Sequence, residues 1–234
     1  MNGNKGMIAL GGLVGAGLVL MGWVLGSSAI RFKEFERVVS VKGLAEREVP
    51  ADVVVWPIGF TAASAELPAL YASLDSDSQQ IAGFLKEAGF AADEITVAAP
   101  GVTDKLAQQW GDQARVQLRY AAQQTITVYS KKVDLVRMTA NRLAELGKKG
   151  IAFNPIGQTE YLFTGLNGVK PTMIEEATRK AREVAEKFAA DSHSKLGKIR
   201  SANQGQFTIT DRDSNTPYIK NVRVVATVDY YLSD

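Results

Sequence analysis

Residues 6–30 carry no charged side chain, and this one stretch constrains the rest of the chain more than any other feature. A helix rises about 1.5 Å per residue, so these 25 residues reach roughly 37 Å. A bilayer's hydrocarbon core is about 30 Å thick, so the stretch is expected to span it. Its glycines are in phase. Gly11, Gly15, Gly22 and Gly26 are spaced 4, 7 and 4 apart and fall within about 60° of one another on a helix. A small-residue face of this kind lets a second membrane helix approach closely.

Two readings of the stretch compete. Lys5 before it, with Ser27 and Ala29 near its end, would suit a cleaved signal peptide. The apolar run 7–25, however, is 19 residues, longer than the usual signal core of about 7–15. The expectation is a retained anchor over 1–30 and a folded domain over 31–234. Arg31, Lys33 and Arg37 after the anchor would hold that side in the cytoplasm by the positive-inside rule. Long domains obey this bias weakly, so the expected arrangement is single-pass, with a short cytoplasmic N-terminus and the domain outside.

Beyond Lys5, 26 basic residues face 25 acidic ones. That balance supplies no basic excess for nucleic-acid binding. Cysteine is absent and there is one histidine, His193. Disulfides and thiolate chemistry are excluded, and a conventional zinc site would have to rest on carboxylates. The chain holds no Walker A, GxSxG or HExxH pattern. His193 sits in Asp191-Ser192-His193-Ser194, where a helix C-terminus suits a solvated histidine. The pairs Glu46/Glu48 and Asp211/Asp213 look like loop charges. No catalytic residue, metal ligand or cofactor is therefore expected. Trp110 and the pair Tyr218-Ile219 stand out as large apolar side chains in polar loops, and are candidate interface residues.

Hydrophobic periodicity gives the order β-β-α-β-β-α-β-α-β-β. Val39 and Val41 alternate with Ser40 and Lys42, with turn chemistry over 43–50. The strand at 52–63 contains Pro57, which demands an edge or a bulge. Ser64 is the expected cap of a helix with Leu67, Leu70, Leu74, Ile81 and Leu85 on one stripe, ended by Gly89. A short strand at 94–98 and a polar loop at 100–111 follow. Over 116–128 the even positions are apolar except Gln124, which reads as a long strand with one buried face. Ser130 is the expected cap of the next helix, and 151–164 is extended with a break at Asn154-Pro155. Thr172-Met173-Ile174-Glu175 is a capping box opening the longest helix of the domain, with Ile174, Ala177, Ala181, Ala185 and Phe188 inward. Strands at 199–210 and 221–231 close the chain. The expected fold is α+β: a two-layer antiparallel sheet with helices packed on one face.

From residue 38 to 231 the chain resembles the bacterial SIMPL-domain family. The residues that carry the resemblance are Val41-Lys42-Gly43 through Val49-Pro50-Ala51-Asp52, the stretch 120–128, and Glu176-Ala177-Thr178-Arg179-Lys180-Ala181 running to Leu196-Gly197-Lys198-Ile199. Ala45 replaces a common second glycine, and Ala51 separates Pro50 from Asp52. The resemblance implies a cell-envelope protein with no established catalysis, self-assembly into ring-like homo-oligomers, and a link to envelope or oxidative stress. Together with the anchor it leads to an expected function: a non-enzymatic, membrane-anchored protein of the bacterial inner membrane, with its domain in the periplasm. Its expected partners are other copies of itself and membrane lipid through residues 6–30. The alternative is a binding module that holds a partner protein or small ligand through the Trp110 and Tyr218 loops.

Overall fold

The computed structural model describes residues 11–12, 15–26, 37–107, 117–154 and 157–233. The chain divides into two compact units. One comprises Met1–Arg47, Val169–Thr208 and Arg223–Asp234; the other comprises Glu48–Gly168 and Ile209–Val222.

Within the first unit, residues 11–12 are helical and residues 15–26 form helix α1, exposed throughout. No helix among the described residues is long and apolar enough to cross a membrane. The expected span over 6–30 lies in large part outside the described residues, which include only those two pieces of it. The greater part of strand β1 (Val38–Pro50), helix α5 (Leu166–Asp191) and strand β10 (Ile219–Ser233), with strand β8 (Lys195–Gln204), builds the rest; residues 48–50, 166–168 and 219–222 of these elements belong to the second unit. The sheet order is β1-β10-β8, and β8 runs antiparallel to β10.

Gly43 does not turn the chain as expected; β1 runs through it unbroken. The reason is the approach of α5. A Cβ on Gly43 would lie 1.8 Å from the Ala177 carbonyl oxygen and 2.5 Å from the Ala181 nitrogen. The helix face that meets this strand is accordingly Met173, Ala177, Ala181, Ala185 and Ala189, a strict four-residue repeat. Phe188, expected inward, is 55% exposed, because a ring does not fit where backbones are this close. Val41, Ala181, Ala185, Val228 and Tyr230 form the core here.

α5 also begins six residues earlier than the Thr172 box implied and contains Pro171. Thr172 bonds back to the Val169 carbonyl at 2.9 Å instead of capping. The outer face of α5 carries ion pairs four residues apart: Lys180–Glu176 at 2.8 Å, Arg179–Glu183 and Arg182–Glu186.

The second unit is built on a six-stranded antiparallel sheet ordered β3-β5-β2-β6, with β4 also on β5 and β7 also on β2. The strands are β2 (Val53–Ser64), β3 (Ile95–Val97), β4 (Gly101–Asp104), β5 (Tyr120–Ser130), β6 (Ala152–Asn154) and β7 (Glu160–Leu162). The strands fall into two sheets, not one, and β1 and β2 do not pair although a short turn joins them. The loop expected at 100–111 contains β4, which pairs with Ala121, Ala122 and their neighbours.

Pro57 lies in a central strand. It is tolerated because the ladder on one flank breaks there: β7 pairs with Val53–Val55 and β6 with Gly59–Thr61. Helices α2 (Leu67–Glu87), α3 (Val133–Ala140) and α4 (Ala144–Gly147) carry the apolar side. Trp56, Phe60, Leu70, Leu74, Ile81, Ile126 and Val128 are among the core residues. Each large side chain contributes about 1.5–3 kcal/mol of burial. Gln124, the polar exception in β5, faces this core and is satisfied by the Ala98 carbonyl at 2.8 Å.

Neither expected serine cap forms. The Ser64 hydroxyl accepts the Glu66 amide at 3.2 Å, before α2 begins. The Ser130 hydroxyl donates to Glu94 Oε1 at 2.6 Å and accepts the Lys132 amide at 3.0 Å. Glu94 Oε2 takes the Ala91 amide at 2.8 Å and the Lys132 ammonium at 3.0 Å. The Ser130 hydroxyl first, then the Ala91 amide and Lys132, hold this carboxyl below the usual glutamate range. A carboxyl depressed in the folded state stabilises fully above its unfolded pKa and stops doing so as pH falls through its folded value. Ser130→Ala is expected to cost about 1.5–3 kcal/mol at neutral pH, the size of a hydrogen bond to a charged group. The cost should shrink in acid. Urea melts at pH 7 and pH 3 check this; an equal loss at both pH values would show that Glu94 is not the partner that matters.

Candidate functional site

Gly11, Gly15, Gly22 and Gly26 are all helical, and a Cβ built on any of them meets nothing within 4 Å. Trp110 lies outside the described residues. Tyr218 and Ile219 are half-buried. Tyr218 closes the loop after strand β9 (Thr208–Asp211), and Ile219 opens β10.

The Tyr218 loop is held by its own polar groups. Asp213 Oδ1 accepts the amides of Asn215 and Thr216, both at 2.8 Å. Its other oxygen accepts the Thr216 hydroxyl and Arg212 Nε. These contacts, the Thr216 hydroxyl foremost, lower the Asp213 carboxyl to about 2. Arg212 also reaches Glu48 at 3.3 Å, and the Tyr218 carbonyl accepts the Ala51 amide at 2.9 Å.

Tyr218 therefore presents its ring from a fixed backbone. The Arg137 guanidinium lies 3.6 Å from the ring centroid, and Tyr161 meets the ring edge-on at 6.1 Å. Arg137 also bonds Asp134 at 3.1 Å. Burial raises the Tyr161 phenol above its ordinary value, with the Arg137 cation acting the other way, so the hydroxyl stays protonated at neutral pH. Asp134, Arg137, Met138, Asn141, Tyr161 and Asn215 line the cleft beside Tyr218, an open space of about 610 Å³.

The acidic pairs are tied up separately. Glu46 faces Arg223 at 3.6 Å, Glu48 faces Arg212, and Asp211 pairs with buried Lys220. Each carboxylate thus faces a cation, Glu48 and Asp213 sharing Arg212, and neither sequence pair shares a proton as an acid–base dyad would. His193 takes a left-handed backbone (φ 53°) just after α5, with its amide on the Ala190 carbonyl. Asp52, in the stretch that carried the resemblance, binds the Thr164 amide at 2.7 Å and its hydroxyl at 3.0 Å. That is a structural role, tying the start of β2 to the chain before α5. Among the described residues no cluster of three metal-type ligands occurs.

A further surface was not read from the sequence. The helices cover one face of the six-stranded sheet, and the registers give the residues of the other. On β5 these are Ala121, Gln123, Thr125, Thr127 and Tyr129, opposite Ala63, Thr61, Gly59, Pro57 and Val55 of β2. Thr96, Gly101, Thr103, Ala152 and Asn154 extend the same face. Among the described residues that the registers place on this face, Glu160 on β7, opposite Val55 at one end, is the one charge. A chain that is 22% charged places almost none of that charge here. The signal lay in the odd positions of 121–129, which periodicity assigns to solvent and which nonetheless hold no Lys, Arg, Asp or Glu.

Compared with known families, residues 39–229 match the one described as SIMPL, protein of unknown function (DUF541). Among curated proteins, none matches the chain.

Proposed function

Since this chain belongs to the SIMPL (DUF541) family, we propose that it is a non-enzymatic, membrane-anchored protein of the bacterial cell envelope that self-assembles into a ring-like homo-oligomer. One observation carries the reading: the uncharged open face of the six-stranded sheet. Charge depletion at the centre of a patch is the compositional mark of a protein interface. An ordinary solvated sheet face alternates polar and charged residues with the buried ones. The uncovered edge β8 supports association less well. Lys195, Lys198 and Arg200 lie on it, and its pairing with β10 slips twice. Both features discourage edge-to-edge pairing.

Contact of like face on like face stops at two copies, whereas a face that meets a different surface of its neighbour propagates and can close into a ring. The anchor over 6–30 supports the membrane reading through its length, its lack of charge and its glycine phase. Anchors gathered under one assembly would have a high effective concentration, so the glycines need only permit packing. An inner-membrane, periplasm-facing location and a role in envelope or oxidative stress follow from the same family reading. The test is the mass of the full-length, detergent-extracted particle. A mass several times that of one chain is expected. A monomer would refute assembly, and a dimer would refute the ring.

A second reading, a binding module, is favoured by the cleft beside Tyr218. It places a stacked cation, a half-buried phenol and two side-chain amides around one open space.

A further inference from the structure

Of the described surfaces, the Tyr218 cleft is the one whose side chains specify a ligand chemistry. Its volume of about 610 Å³ lies in the range of small-molecule sites, roughly 300–1,000 Å³. Its polar groups are mostly donors. Arg137 has five N–H groups, and one nitrogen is engaged by Asp134. Among the described residues, the only acid lining the cleft is that same Asp134, already on Arg137. The Tyr161 hydroxyl and the amides of Asn141 and Asn215 add further donors. The apolar contribution is the two tyrosine rings and Met138, the latter 61% exposed. A guanidinium lying on an aromatic ring keeps its in-plane N–H groups directed outward, the geometry that matches a planar oxyanion.

We propose that this cleft binds a small organic carboxylate, with its anionic group on Arg137 and its apolar body against Tyr218, Tyr161 and Met138. The proposal deepens the binding-module reading and does not require the copies to assemble. The carboxylate has two possible sources, a free small acid or the C-terminus of a peptide ending in an apolar residue. A phosphate monoester fits less well, because its second charge would sit beside Asp134.

The probes are phenylacetate, its neutral isostere phenylacetamide, and a short peptide ending in phenylalanine with a free or amidated C-terminus. Binding to the full-length protein is read by saturation-transfer NMR, on samples whose mass has been measured. Phenylacetate should bind saturably in the millimolar range and phenylacetamide at least tenfold more weakly. Arg137→Gln should lose at least tenfold, and Arg137→Lys less, since it retains charge without the planar fork. If the free-acid peptide binds tighter than phenylacetate and amidation removes the gain, the source is a peptide terminus. The reverse order assigns a free acid. Equal binding of acid and amide, an unchanged Arg137→Gln protein with native circular dichroism, or no binding of either acid at 10 mM would each overturn the proposal. A monomer that binds phenylacetate would sink the assembly reading and leave this one standing.

Discussion

Gly43→Ala is expected to destabilise the first unit by at least about 3 kcal/mol, the upper end of ordinary overpacking and beyond. The added methyl would sit 1.8 Å from one backbone atom of α5 and 2.5 Å from another. Neither is the end of a flexible side chain, so relief requires the helix to retreat from β1. Retreat would open gaps along Ala177, Ala181 and Ala185, whose small side chains are matched to that short distance. The same change at Gly83 provides the contrast. That residue lies within α2 with nothing within 4 Å of a built Cβ, so alanine there should stabilise by about 0.5–1 kcal/mol. Urea denaturation of both variants, with hydrogen exchange along α5, measures the pair. Equal and small effects would show that α5 does not press on β1 as described.

This contrast marks where the sequence was legible. The α2 stripe from Leu70 to Leu85, the stop at Gly89 and the core phase of β5 from Ala122 to Val128 follow from periodicity and local backbone chemistry, and the structure has them, whereas Leu67 and Leu118, expected on the same faces, are exposed. Gly43 was misread because a glycine in a polar stretch signals a turn as readily as a close approach. Only the three-dimensional neighbour, α5, decides between them. The same contact explains why Ala189 replaces Phe188 on the inner face of α5. Hydrophobicity favours the larger residue, whereas the space available favours the smaller. Ser64, Ser130 and Thr172 show a related limit. Each has the chemistry of a cap, but each was drawn to a different partner within its own unit: an amide before α2, the Glu94 carboxylate and the Val169 carbonyl. Of the candidate interface pair, the sequence marked Tyr218 but not the stacked Arg137, which is 81 positions away.

Thr127→Glu is expected to weaken self-association by more than a hundredfold while leaving the folded unit nearly intact. Thr127 lies in the middle of the uncharged face, with Pro57 beside it on β2 and Thr96 on β3. In a free copy a glutamate there remains solvated. Its cost is limited to the lower strand preference of glutamate, within about 1 kcal/mol. In an assembly that covers the face, the carboxylate is buried without a nearby cation, because none of the described residues placed on the face is Lys or Arg. An unpaired buried charge costs about 3–5 kcal/mol, which is more than two decades in a dissociation constant. Thr127→Val keeps the shape and the strand preference and should leave association unchanged or tighter. The two substitutions therefore separate the chemistry of the face from disturbance of the strand. Mass measurement of both proteins in detergent over a dilution series gives the answer. If Thr127→Glu holds together at the same concentration as the unaltered chain, the open sheet face is not where the copies meet. Residue 15 and residue 22 of the anchor would then be the next positions to enlarge, since the glycine face is the remaining smooth surface named by the sequence.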